Sequence, residues 1–201
     1  MTDEKPHQRR AEIAEAARAL IAERGFEGLR TRDIAERVGI NIATLHYHVP
    51  TKDSLIEIVA QSLRDDFIAQ NIARPRAGKT AWQRLMDEFE DFRDILVNNP
   101  DLFIVFSELL MRAKRDPRVA AATGPMQAFW HAQWVDLIEA ARVEGSLRGD
   151  IDPFAAATMI IGALVASQRM PGDRLVHFER VVAELERSIA SNASQVREPS
   201  K

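Results

Sequence analysis

Cysteine is absent from all 201 residues, which excludes disulfides, thiolate metal sites and cysteine nucleophiles together. Long hydrophobic runs are absent too. The longest stretch free of Asp, Glu, Lys, Arg and His, residues 153–168, holds sixteen residues, fewer than the ~20 of a membrane-spanning helix. Its alanine content reads as a buried helix, and no membrane partner is expected. The opening MTDEKPHQRR has no apolar segment of the signal-peptide kind, so a cytoplasmic location is expected. Catalytic signatures are missing: there is no nucleophile elbow, HExxH, P-loop or GxGxxG. The histidines at 7, 46, 48, 131 and 177 gather only within one short segment. No metal site, cofactor or catalytic residue is expected, and an enzyme is the disfavoured reading.

Neither sign of charge dominates. The net charge is −3, with nine Lys/Arg against eight Asp/Glu in residues 1–52 and 18 against 22 in the remainder. A footprint for a polyanion must therefore come from arrangement, through Arg9, Arg10, Arg32 and Lys52 lying on one side. Arg9 and Arg10 read equally well as an N-terminal arm or as the solvent face of a first helix.

Hydrophobic content of 46% with 28% charged residues describes an ordinary globular chain. Apolar residues recur at helical spacing almost throughout, without the alternation of strands, and the expected fold is all-α. Ile13, Ala17, Leu20 and Ile21 mark a helix over 9–24, ended by Gly25. Thr51 is a fair N-cap for a helix running to about Gln70. ARPRAGKT is the one clear linker, near 74–79. Further helices are expected over 80–97, 101–115, 126–144, 153–170 and from Asp173 to near Ser191. DPRVAAATGP reads as a broken connection and the tail SQVREPSK as frayed.

Residues 31–52, TRDIAERVGINIATLHYHVPTK, carry the most information. They divide into a short helix, a tight turn through Gly39 and a second short helix opening at Asn41. Ala35 allows close crossing, Gly39 accepts a left-handed backbone, and Leu45 with Ile34, Val38 and Ile40 forms a wedge. This is a helix-turn-helix pattern, whose second helix is free to enter a DNA major groove. On that helix Ile42 and His46 share one ridge, Ala43 and Tyr47 the next, while Leu45 and Val49 point inward. Small apolar side chains fit thymine methyls, and His or Tyr reach base edges or phosphates. Thr44 and His48 form a flanking pair aimed at the backbone, and Thr31 is placed to cap the preceding helix.

Residues 9–59 resemble the DNA-binding domain of the tetracycline-repressor (TetR) family of bacterial transcriptional regulators. The likeness rests on RRAEIAEAARALIAERG, GFEGLRTRDIAERVGI and above all ATLHYHVPTKDSLI. Departures are modest: His46 replaces the usual Tyr or Phe, Val49 a Phe, and Asn41 a Ser. The resemblance implies that Thr44, Tyr47, His48 and Lys52 grip phosphates, that Ile42, Ala43 and His46 approach bases, and that Arg32 reaches the groove or its rim. Thr31 and Asn41 complete the expected DNA-binding set.

It also implies a helix-turn-helix domain at 1–56, a connecting helix at about 52–70 and a helical effector-binding and dimerisation domain at 71–201. Trp82, Met86, Phe89, Phe92, Phe103, Phe106, Met126, Trp130 and Trp134 have core spacing, and the resemblance assigns them to a pocket for an unidentified small-molecule effector. Small residues recur over 153–168, and Ala155, Thr158, Met159, Gly162, Ala163 and Ala166 are the expected homodimer interface. The function implied is that of a ligand-responsive repressor released from a palindromic double-stranded DNA operator by a small, largely apolar effector. An all-helical carrier of apolar ligands is the rival; it explains the aromatics but leaves TLHYH without a purpose.

Overall fold

The structure, a computed structural model, describes residues 4–191; the expected fraying of SQVREPSK lies outside them. Among the described residues there are nine α-helices and no strand, as the periodicity predicts. They are α1 (Glu4–Arg24), α2 (Thr31–Val38), α3 (Ile42–His48), α4 (Lys52–Ala73), α5 (Ala81–Asn98), α6 (Pro100–Ala113), α7 (Pro117–Val143), α8 (Pro153–Ser167) and α9 (Arg174–Ile189). No helix of the described residues is long and apolar enough to cross a membrane.

The chain forms two compact units. One contains residues up to Ile72 together with Asn99–Met126; the other contains Ala73–Asn98 and the residues from Gln127 onward. In the first, α1 packs on α2, α3 and α6. Its core is built on Ile13, Leu20, Ile21, Ile34, Leu45, Leu63 and Leu109, all less than 2% exposed. In the second, α9 packs on α5 and α8, around Leu85, Ile138, Leu147, Ile160 and Leu164.

Local chemistry sets most helix ends. Gly39 closes α2 at φ 73°, ψ 33°, its N–H donating to the Ala35 and Glu36 carbonyls; only glycine adopts that backbone without a Cβ penalty. Asp152 and Asp173 cap α8 and α9 by accepting amide N–H groups of the first turn. The 74–79 linker is not loose: Arg74 pairs with Asp91 and Asp94, Arg76 with Glu88, and Lys79 with Asp87. α5 thus carries a row of carboxylates that the preceding segment neutralises. Burial pushes the Glu88 carboxyl above its ordinary range against the opposing pull of Arg76. Burial likewise raises Asp91, against Arg74.

Three expectations need correction. DPRVAAATGP is not a broken connection, because α7 runs from Pro117 straight through Gly124 and Pro125. Pro117 occupies the first helical position, where its missing N–H costs nothing, and Asp116 Oδ1 accepts the Arg118 N–H at 3.1 Å. Val119, Thr123 and Met126 are buried at helical spacing, so packing holds the helix across the proline. Pro125 and Ala121, whose carbonyl it deprives of a donor, both lie on the exposed side, within reach of water. The first helix also begins at Glu4 rather than Arg9. Finally, Thr31 does not cap α2: it is the first helical residue, and Arg30 holds the cap position without a side-chain hydrogen bond.

Candidate nucleic-acid interface

α3 has only seven residues, too few to persist alone, so its geometry depends on anchors. Asn41 Oδ1 accepts the Thr44 N–H at 2.8 Å and starts the helix. Leu45 and Val49, 0% and 2% exposed, fasten one side of it to the core. The other side is left bare. Ile42 is 41% exposed and Tyr47 83%, and Ala43 and His46 are exposed with them, while Thr44 and His48 are half-buried at the edges. The Tyr47 and His48 rings meet edge to face at 5.1 Å. A large aromatic held four-fifths in solvent contributes little to the core.

After Pro50 a reciprocal cap opens α4. The Ser54 N–H donates to Thr51 Oγ1 at 3.0 Å and the Thr51 N–H to Ser54 Oγ at 3.0 Å. This is the logic of a capping box, with serine in the returning position, and it bears out Thr51 as the cap. It fixes Lys52 as the first residue of α4, immediately beyond α3. The Lys52 ammonium stands 5.2 Å from the centroid of the Phe26 ring.

The charges on α1, α2 and the start of α4 are sorted. Arg9 pairs with Glu12 at 2.6 Å, Arg24 with Asp33 at 2.9 Å and Arg37 with Glu23 at 2.8 Å. The Arg37 hydrogen bond holds the Glu23 carboxyl below its ordinary range. Arg30, Arg32 and Lys52 are exposed and form no ion pair among the described residues. Cations without a carboxylate partner suit a polyanion. Sequence reasoning singled out Arg32 and Lys52 but missed Arg30, because the signal is the pairing of its neighbours rather than any motif.

The remaining predicted residues fall on two other groups of elements. Phe103, Phe106 and Met126 are buried in the first unit, with Phe106 edge-on to Phe67 at 5.7 Å. In the second unit, Phe89 and Trp134 are buried and lie 5.4 Å apart, and Phe92 stacks on Phe178 at 5.6 Å. Trp82, Met86 and Trp130 are half-buried there. A cavity of about 580 Å³ lies elsewhere, between α1 and α4, lined by His7, Arg10, Glu57 and Asp65 among others. On α8, Ala156, Ala157, Ile160 and Leu164 are buried. Ala155, Thr158, Met159, Gly162 and Ala166 are exposed, with Ala163 half-buried. That bare side also presents Phe154 and Met159 at 66% and 69% exposure.

Residues 13–59 match the family described as bacterial regulatory proteins, tetR family. Over 146 residues the chain is 24% identical to the HTH-type transcriptional repressor KstR2 of Mycobacterium tuberculosis, covering 73% of this chain and 72% of the relative. It is 30% identical over 92 residues to the class D tetracycline repressor protein of Escherichia coli, covering 46% and 41% respectively. In fold it is similar to a transcriptional regulator from Saccharomonospora viridis crystallised with choline. That likeness has a TM-score of 0.81 at 23% identity and covers 92% of this chain and all of the other.

Proposed function

Because the chain belongs to the tetR family of bacterial regulatory proteins and is a DNA-binding transcriptional regulator, we propose that it is a homodimeric repressor released from a palindromic operator by a small, largely apolar effector. The observation that carries this reading is the division of α3 into two sides. Leu45 and Val49 are buried while Ile42, Ala43, His46 and Tyr47 stand in solvent. Two such helices, related by a two-fold axis, read two half-sites in successive major grooves. Ile42, Ala43 and His46 face base edges, with Thr31, Arg32 and Asn41 at the rim. Thr44, Tyr47, His48 and Lys52 hold the phosphates.

The domain assignment follows the same division of labour. Residues 1–56 bind DNA, the helix at about 52–70 connects, and residues 71–201 receive the effector and the second copy. The exposed small-residue side of α8, through Ala155, Thr158, Met159, Gly162, Ala163 and Ala166, supports close approach of two copies. Phe89, Phe92 and Trp134, with Trp82, Met86 and Trp130 half-buried nearby in sequence, support an effector site lined by aromatics. Effector binding shifts the population toward a dimer whose recognition helices no longer match the operator spacing. DNA as partner places the protein in the cytoplasm.

The test is a gel shift on the DNA upstream of the protein's own coding sequence, followed by a screen of small apolar compounds for release. Specific binding that one of them reverses is the expected result. Binding that survives the whole screen contradicts the effector assignment, and no binding with a ligand-dependent rise in melting temperature favours a carrier.

A further inference from the structure

We propose that Phe26 is a positioning residue for DNA binding, its ring holding the Lys52 ammonium where a phosphate arrives. The inference rests on the reading of Lys52 as a phosphate contact and adds what places it. Phe26 is 3% exposed, and its backbone N–H donates to Glu108 Oε2 at 3.4 Å. The ring is part of the core and cannot turn away. Lys52 is exposed and forms no ion pair among the described residues. Its ammonium lies 5.2 Å from the ring centroid, within the ~6 Å over which the negative face of an aromatic ring attracts a cation.

The Arg112 guanidinium also lies 5.2 Å from that centroid. Arg112, however, pairs with Glu27 and reaches Asp116 at 3.7 Å, so carboxylates compensate it. Among the described residues Lys52 has no carboxylate partner, and the ring is what it meets. The backbone beneath Lys52 is fixed as well. Thr51 and Ser54 cap the turn, and Asp53 accepts from Arg118 at 3.0 Å.

A lysine left free on a surface samples many rotamers and must give them up to grip a phosphate. Held over a ring, it has given up most of them already, and preorganisation of this kind is read as affinity. The ring engages one side of the ammonium; the three N–H donors leave others to point at phosphate oxygens. An acidic partner in place of the ring would neutralise the charge that DNA requires, whereas an aromatic leaves it intact.

The test replaces Phe26 with its mono-, di- and trifluorinated analogues, which keep the shape but drain the ring face of negative charge. Operator affinity is measured with Lys52 and with Lys52→Ala. The expected result is a stepwise loss reaching about twofold to fivefold per recognition helix, with the salt slope unchanged, and no loss in the Lys52→Ala chain. Lys52→Ala itself lowers the slope by about one per recognition helix. If Lys52→Ala weakens binding but fluorination does not, the inference fails and the phosphate contact stands. Equal losses in both backgrounds show that the ring acts through packing alone, which also overturns it. Unchanged affinity in Lys52→Ala removes the phosphate contact itself. In the unmodified protein, the Lys52 ε-methylene protons should resonate upfield of ordinary lysine through the ring current, and unshifted resonances would overturn the inference without any variant.

Discussion

Tyr47 and Lys52 are the two residues on which the interface is most exposed to test. Neither contributes to the core, since Tyr47 is 83% in solvent and Lys52 is exposed. Tyr47→Ala should therefore leave the melting temperature unchanged, Lys52→Ala should lower it only by the loss of its contact with the Phe26 ring, and both should keep the dimer while weakening operator binding. Titrations by fluorescence anisotropy across a salt series check this, and unchanged affinity in both variants would remove α3 from the DNA. A different residue governs pH behaviour. Burial raises the Glu88 carboxyl above its ordinary range, so the native state holds that proton to a higher pH than the unfolded chain does. Its contribution to stability is full below the ordinary carboxylate range and is lost as pH climbs through the raised value. Glu88→Gln should flatten that part of the curve, leaving the variant relatively more stable toward neutral pH. Melting temperatures at matched ionic strength decide it; parallel curves for parent and variant would contradict the assignment.

Among the elements, α7 gives the sharpest prediction. A proline inside a helix costs about 3 kcal/mol relative to alanine, less the order it imposes on the unfolded chain. Pro125→Ala should therefore raise stability by about 1 kcal/mol or more in denaturant titration, whereas a chain broken at Gly124 and Pro125 would show no gain. The same helix shows what the sequence conceals. Gly-Pro is a strong local signal for a break, and it outweighed the burial stripe of Val119, Thr123 and Met126, which only packing makes visible. α3 is legible for the opposite reason. Asn41, Leu45 and Val49 act over one or two turns, so cap, anchors and exposed side all follow from spacing. Gly39 is equally local. Thr31 was misplaced by one position because helix ends shift by a residue or two at little cost. The Phe26–Lys52 contact was not legible, since no periodicity links residues on separate elements. The burial of the α5 carboxylates against Arg74 and Arg76 likewise follows only from the fold.

At the scale of the whole molecule, the proposed repressor acts as two copies together. The bare side of α8 places Gly162 where an added Cβ meets nothing within 4 Å, so Gly162→Leu is tolerated by the isolated chain. Between copies a large side chain at that position holds the helices apart. Sedimentation should show a monomer or a much weaker dimer with its helix content intact, and operator affinity should fall with it. A dimer of undiminished strength would move the interface off this side of α8. Footprinting the protein on the DNA upstream of its own coding sequence decides whether paired α3 helices read a two-fold site. The expected result is protection of two inverted half-sites whose centres lie about one helical turn, ~10 base pairs, or a simple multiple apart. Saturating protein that protects no discrete site, or protects a single unrepeated half-site, would contradict it.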